Sequence, residues 1–341
     1  MKRPHKSDVR IAVFGDGGWG TALALLLHGN GHAVTVWGHS PDHVESVVRT
    51  RENALYLPGV ELPPEIRWTA DNEAAAAGAD VAILAVPSRF FRSVAATLAG
   101  HLSTSCMVVS VAKGLDPRTR QRMTEVAEQV LGHAPIAALS GPSLAPEVAR
   151  QAPTAVVVAS RDDEQNRRLQ GIFASKRFRV YTSADVVGVE LGGALKNVIA
   201  LAAGISDGLG FGDNTRAALI TRGLAEITRL GIALGAEAET FAGLSGAGDL
   251  ILTCGSRQSR NHAVGERLGR GEPIARVLAG MKQAAEGVWN CRVASDLARQ
   301  AKVDAPITEQ IRAVVHEGRD PRAALEALMA RRARPELGPS L

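Results

Sequence analysis

Lys196 stands in the run LGGALKN at 191–197, where Leu191, Ala194, Leu195, Val198 and Ile199 leave that turn little polar face. A buried ammonium is costly unless it is paired, so a lysine in this setting needs a partner or a task. The ordinary alternative is a lysine that snorkels from a helix to the surface. Asp249, in GAGDL, is the candidate partner, a carboxylate that would orient nearby lysines and balance their charge. The same residue also reads as a cap for the helix after Gly248. Lys113 follows the apolar run 107–111, at the carboxyl end of a strand, the edge where ligands bind in parallel sheets. Gly141 and Ser143 follow the run ending at Leu139 on that same edge, where a plain Gly-Pro turn is the simpler reading. Ser259, Arg260 and Asn261 precede the helical stretch NHAVGERLG. A helix start offers free amides and a favourable dipole to an anion, and Arg260 adds a forked, permanently charged donor set that a dianion can engage with two bonds. Taken alone, such a triplet is more often just a capped helix start.

Residues 10–29, RIAVFGDGGWGTALALLLHG, supply a strand, a glycine-rich turn and an apolar helix. Gly15 permits the tight turn, Gly17 lets a pyrophosphate approach the backbone, and Gly20 lets the helix pack on the strand, with Gly18 and Trp19 completing the loop at the free amides. A bare G-x-G-x-x-G is usually incidental, but after the first strand of an alternating chain it marks a dinucleotide site. Asp16 is out of place there, because a carboxylate repels a pyrophosphate, and its side chain is expected to point away. NAD-binding folds often carry an acid for the adenosine ribose about 20 residues further on. Here the second strand ends VTVWGHS, and Gly38, His39 and Ser40 supply none. A 2′-phosphate is then not repelled and finds donors in His39 and Ser40, which points to NADPH with NADH as the alternative. An ordinary exposed loop histidine fits His39 equally well.

Two units must position these groups. Strands are expected at 10–14, 33–37, 81–85, 107–111, 136–139, 154–159 and 178–181, alternating with Ala/Leu-rich stretches, the pattern of a mainly parallel sheet covered by helices. Past residue 185 the strand signal fades, and 189–234 reads as long helices broken at 204–214. The expected fold is α/β: a Rossmann-type doubly wound sheet over 1–186, an all-helical domain over 187–335 and a loose tail at 336–341. A length of 341 residues suits two cores, and 45% hydrophobic with 22% charged residues is a globular composition. No run of about 18 uninterrupted apolar residues offers a membrane span. The N-terminal MKRPHKSDVR lacks an apolar signal core, so a cytoplasmic protein is expected. The net charge of +4 is dispersed and aromatic residues are 4%, which argues against nucleic acid as a partner. Cys106, Cys254 and Cys291 are far apart, and neither they nor the histidines show metal-ligand spacing, so no metal is expected. Apolar Ala-rich helices in the second unit suggest a homodimer.

Further segments narrow the reading: VPS at 86–88, AKGLD at 112–116, SGPSLAPEVA at 140–149, the run 188–226 containing LGGALKN, GLSGAGDLILTC at 243–254 and SRQSRN at 256–261. Together these resemble the bacterial-type NAD(P)-dependent glycerol-3-phosphate dehydrogenases, over nearly the whole chain from about residue 9 to about 330; the family's usual small residue in the glycine loop is replaced by Asp16. The resemblance implies reduction of dihydroxyacetone phosphate to sn-glycerol 3-phosphate, the backbone for phospholipid synthesis. It implies Lys196 as general acid and, in the oxidative direction, base, so that the two directions prefer opposite pH. It implies Asn197 holding nicotinamide and substrate in line, and Lys113 touching both. Asp249, Gly141, Ser143, Thr253, Ser259, Arg260 and Asn261 are implied at the substrate, and Ala145, Glu286 and Arg260 at the cofactor. Cys254 lies close by in sequence, but hydride transfer needs no covalent intermediate. Two other readings share part of the pattern: a β-hydroxyacid dehydrogenase acting on carboxylates, and a non-catalytic NADPH-binding sensor.

Overall fold

The computed structural model describes residues 9–132, 135–281, 283–332 and 335–336. Of the tail expected at 336–341, residues 337–341 lie outside the described residues. The strands are β1 (Arg10–Phe14), β2 (Ala33–Trp37), β3 (Arg67–Thr69), β4 (Val81–Leu84), β5 (Met107–Ser110), β6 (Ala137–Ser140), β7 (Thr154–Ala159) and β8 (Phe178–Ser183). They form one sheet in the order β3-β2-β1-β4-β5-β6-β7-β8, parallel through β6, with β7 antiparallel to β6 and β8 parallel to β7. β1, β4, β5 and β6 bury nearly every side chain, as expected of strands covered on both faces. Phe14 pairs with both Trp37 and Leu84, so the carboxyl ends of β2, β1 and β4 come out level. The strand order reverses between β1 and β4, and the crevice at such a switch point is where ligands bind in open α/β sheets. β3 was not expected. It is a three-residue edge strand, RWT, too short to show an alternating pattern.

The first seven helices are α1 (Gly18–Gly29), α2 (Pro41–Thr50), α3 (Asn72–Ala76), α4 (Ser88–Leu98), α5 (Met123–Leu131), α6 (Ala145–Ala149) and α7 (Asp163–Phe173). After β8 come α8 (Val186–Gly208), α9 (Asp213–Ala233), α10 (Ala238–Ala242), α11 (Asp249–Gly255), α12 (Arg260–Gly269), α13 (Ile274–Ala279), α14 (Glu286–Gln300), α15 (Pro306–Glu317) and α16 (Pro321–Met329).

α8 is the axis of the helical half. By length and composition it could cross a membrane, but 94% of its most apolar window is buried inside the fold, which makes it a core helix. The break expected within 204–214 falls at 209–212, between α8 and α9, and Gly204 itself stays helical. That glycine serves packing: a Cβ on Gly204 would lie 2.1 Å from the His262 carbonyl oxygen, and one on Gly265 would lie 2.2 Å from that of Leu201. α8 and α12 therefore touch backbone to backbone, which draws the start of α12 against the middle of α8. Nearer the amino end of α8, the buried Glu190 carboxylate accepts from Arg122 Nη1 at 2.7 Å, from the Thr124 amide at 2.9 Å and from Thr124 Oγ1 at 2.6 Å. That bond set ties α8 to the start of α5.

Candidate active site

Three chains of local structure converge at the carboxyl edge of the sheet. β5 delivers Lys113, α8 delivers Lys196, and a single π-helical turn (Leu244–Gly248) leads into α11 and delivers Asp249 as its first residue. Such turns recur at functional sites because they redirect side chains within a helix. Lys196 Nζ lies 2.5 Å from Asp249 Oδ1 and donates to Thr253 Oγ1 at 2.6 Å. Lys113 Nζ donates to Asp249 Oδ2 at 2.8 Å, to the Gly141 carbonyl at 2.8 Å and to Ser143 Oγ at 3.4 Å. The Asp249 carboxylate is thus taken by two ammonium groups rather than spent as a helix cap. Its side chain is 2% exposed, that of Lys196 6% and that of Lys113 19%.

One carboxylate cannot neutralise two ammoniums, and an ammonium has three protons to place. Lys113 has acceptors for all three. Among the described residues Lys196 has two, Asp249 and Thr253, which leaves one proton uncommitted. Burial, reinforced by the Lys113 charge and opposed by Asp249, lowers the Lys196 ammonium to about 7. Cys254, one helical residue away from Thr253, is fully buried, and burial pushes its thiol up to about 12, far from a reactive thiolate.

Asn197 is engaged within the protein. Its Nδ2 donates to the Lys113 carbonyl at 3.0 Å and to that of Gly193 at 3.2 Å, while its Oδ1 accepts from Asn261 at 2.8 Å. Asn261 in turn accepts from the Gly287 amide at 2.9 Å. Ser259 is the N-cap of α12, accepting from the His262 amide at 3.2 Å. Of the triplet at 259–261, Ser259 and Asn261 turn inward and Arg260 alone is exposed, at the open amide end of α12. Glu286, the first residue of α14, accepts from the Ser88 amide at 3.0 Å and from Ser88 Oγ, joining the turn after β4 to the helical half. Burial raises its carboxyl above the ordinary range, opposed by the two Ser88 bonds and by the charges of Arg260 and Arg89.

The glycine loop at the switch point has the form a pyrophosphate requires. Gly15 has φ +124°, a Cβ on Gly20 would fall 2.0 Å from the Gly15 carbonyl oxygen, and one on Gly17 would meet none of the described residues within 4 Å. The outer face of the turn is therefore open, and α1 begins with no side-chain cap and no acid in its first turn. Trp19 Nε1 is buried beside this turn with no partner among the described residues. Ala145 lies against Gly18, 3.7 Å from where its Cβ would be. These residues fit a dinucleotide. His39 is exposed after β2, and Ser40 caps α2 by accepting from the His43 amide at 3.4 Å. Asp16 turns its carboxylate toward the end of β2, 3.8 Å from His43 Nε2. Burial raises its carboxyl above the ordinary range, with His43 opposing.

Residues that sequence reasoning passed over brace these groups. Asn53 donates to the Asp16 carbonyl at 2.7 Å and to Thr21 Oγ1 at 2.8 Å, clamping the glycine loop. Asn290 donates to the Lys113 carbonyl at 3.3 Å and to that of Ala194 at 3.1 Å. Both asparagines are fully buried. Nothing local distinguishes them, since an isolated asparagine reads as a turn residue. Ser88 lay inside the VPS segment, but its partner is 198 residues away.

A glycine loop shaped for a dinucleotide and a buried two-lysine, one-carboxylate cluster, both at the carboxyl edge of the sheet, are the parts of a nucleotide-dependent oxidoreductase. The chain matches the NAD-dependent glycerol-3-phosphate dehydrogenase N-terminus over residues 10–166 and the corresponding C-terminus over residues 185–326. It is 49% identical over 322 residues to a glycerol-3-phosphate dehydrogenase (NAD(P)+) of Desulfitobacterium hafniense strain Y51, covering 94% of this chain and 91% of that one. It is 50% identical over 331 residues to one of Streptomyces griseus, covering 96% and 98%. The crystal structure of glycerol-3-phosphate dehydrogenase from Coxiella burnetii superposes with a TM-score of 0.92 at 40% identity, covering 95% of this chain and 99% of that one. The chain belongs to the NAD-dependent glycerol-3-phosphate dehydrogenase family.

Proposed function

We propose that this chain reduces dihydroxyacetone phosphate to sn-glycerol 3-phosphate, with NADPH or NADH as cofactor and Lys196 as the proton donor to the ketone oxygen. The observation that carries this reading is the uncommitted proton of Lys196 on an ammonium lowered to about 7. A general acid works best when its pKa lies near the operating pH, and the same amine then accepts the proton in the reverse direction. When bound, the nicotinamide supplies the hydride. Asp249 holds Lys196 and Lys113 on one carboxylate, and the positive charge left over favours an oxygen that is gaining negative charge. Lys113 contacts the substrate from the sheet side, alongside Gly141 and Ser143, and Thr253 supplies the second contact that fixes Lys196 Nζ. Asn197, Asn261 and Asn290 hold these groups in register through the backbone of Lys113. The substrate phosphate is held by Arg260 and the free amides of α12, with Ser259 keeping that helix start in place.

The glycine loop from Gly15 to Gly20, with Gly17, Gly18 and Trp19, receives the pyrophosphate, flanked by Ala145, and Glu286 with Ser88 closes the cofactor side. The protein works in the cytoplasm, where Cys106, Cys254 and Cys291, all buried and free, stay reduced. α8 is spent inside its own core, so a homodimer would use α9, which keeps Leu219, Ile220 and Leu224 only partly buried. Mixing the protein with NADPH or NADH and dihydroxyacetone phosphate tests the reading. Loss of reduced-nicotinamide absorbance is expected with this ketone and not with β-keto acids. Turnover of the acids alone would replace the substrate assignment.

A further inference from the structure

The second position of the glycine loop carries Asp16, and its carboxylate does not face open solvent: the side chain is 15% exposed. A Cβ built on Gly38 would fall 2.5 Å from Asp16 Oδ2 and 3.0 Å from Asp16 Cγ. The carboxylate therefore fills the space that a side chain at the end of β2 would occupy. In dinucleotide-binding sheets that strand end supplies the acid that bonds the adenosine ribose. Here Trp37 is followed by Gly38, His39 and Ser40, none of them acidic, and the carboxylate at this place comes from the turn after β1.

The placement is built rather than incidental. The Asp16 carbonyl accepts from Asn53 Nδ2 at 2.7 Å and from Thr21 Oγ1 at 3.4 Å, which fixes the residue's backbone. From α2, His43 Nε2 faces the carboxylate at 3.8 Å, with the Tyr56 ring packed edge-on against the His43 ring at 5.2 Å. His39 faces it from the loop after β2.

We propose that Asp16 is a specificity-determining residue of the dinucleotide site: its carboxylate accepts from the adenosine ribose hydroxyls and repels a 2′-phosphate, so that the chain favours NADH over NADPH. The proposal rests on the dinucleotide reading above, and it reverses the NADPH preference expected from the end of β2 alone. A dianionic phosphate about 6 Å from a carboxylate loses roughly tenfold in affinity even at the dielectric constant of water.

Isothermal titration of the full chain with NADH and, separately, with NADPH gives the two dissociation constants. For the native chain the NADPH constant is expected to exceed the NADH constant by about tenfold or more. Asp16→Ser, which keeps a small side chain in the turn, and Asp16→Asn, which keeps the shape and removes the charge, should each shift that ratio toward NADPH by about tenfold, mainly by tightening NADPH. Equal constants in the native chain, or a ratio unmoved in both variants, would overturn the proposal while leaving the dinucleotide reading intact. Failure of both dinucleotides to bind the native chain would overturn that reading and the proposal with it.

Discussion

α8 carries two buried ionic clusters under two turns apart, and they are built on opposite principles. At Glu190 the buried carboxylate meets one guanidinium, Arg122, which the half-exposed Glu125 also engages at 2.9 Å, and the Thr124 amide and hydroxyl complete the bonds of Glu190. At Lys196 two ammoniums share one carboxylate, and one proton of Lys196 has no acceptor among the described residues. Burial is alike in the two: Glu190 is 4% and Lys196 6% exposed in the side chain. It pushes both toward their neutral forms, the Glu190 carboxyl upward and the Lys196 ammonium down to about 7. What differs is the charge balance. A cation whose charge is fully met by carboxylates braces two elements, whereas on the proposed function a surplus cation holds a proton to give. Buried charge alone therefore does not mark a reactive site, and unmatched buried charge beside a ligand crevice does.

Substitutions at each cluster sharpen this contrast. Lys196→Ala should lower turnover by roughly a hundred- to ten-thousand-fold, as loss of a general acid does, with the dissociation constant for the dinucleotide unchanged. Native turnover in that variant would remove Lys196 from the chemistry. Glu190→Ala should leave turnover of the folded enzyme near native but cost about 3 kcal/mol of stability, because Arg122 keeps only the half-exposed Glu125 as a partner and the buried Thr124 amide and hydroxyl lose their acceptor. Denaturant unfolding measures this, and a variant of unchanged stability but lost activity would erase the distinction between the clusters. Arg260→Ala should raise the KM for dihydroxyacetone phosphate by roughly ten- to a hundredfold, the worth of a hydrogen bond to a charged group, with kcat changed less. An unaltered KM would move the phosphate seat away from α12.

Much of this contrast was legible in the residues, and some was not. β1, β2 and β7 fall where their apolar runs begin and end, because strands covered on both faces read as unbroken apolar stretches. β3 escaped notice because three edge residues carry too little pattern. The break between α8 and α9 falls inside the expected 204–214, while the purpose of Gly204, contact with α12, lies 58 residues further along at His262. In the site, residue type and burial cost marked Lys196, whereas Asp249 read equally well as a helix cap until the family resemblance favoured it as the partner. The inward turn of Ser259 and Asn261, and the bond from Ser88 to Glu286, depend on how the two halves meet, which no local spacing encodes. Asp16 was visible as an anomaly, but the place its carboxylate fills became clear only beside Gly38.

The most direct test of Lys196 as the proton carrier is the pH dependence of kcat measured in both directions on one preparation. Reduction uses the ammonium, so its kcat should fall as pH rises through about 7, and oxidation uses the free amine, so its kcat should rise over the same interval. Parallel pH profiles in the two directions, or the same inflections retained in Lys196→Gln, would contradict the account.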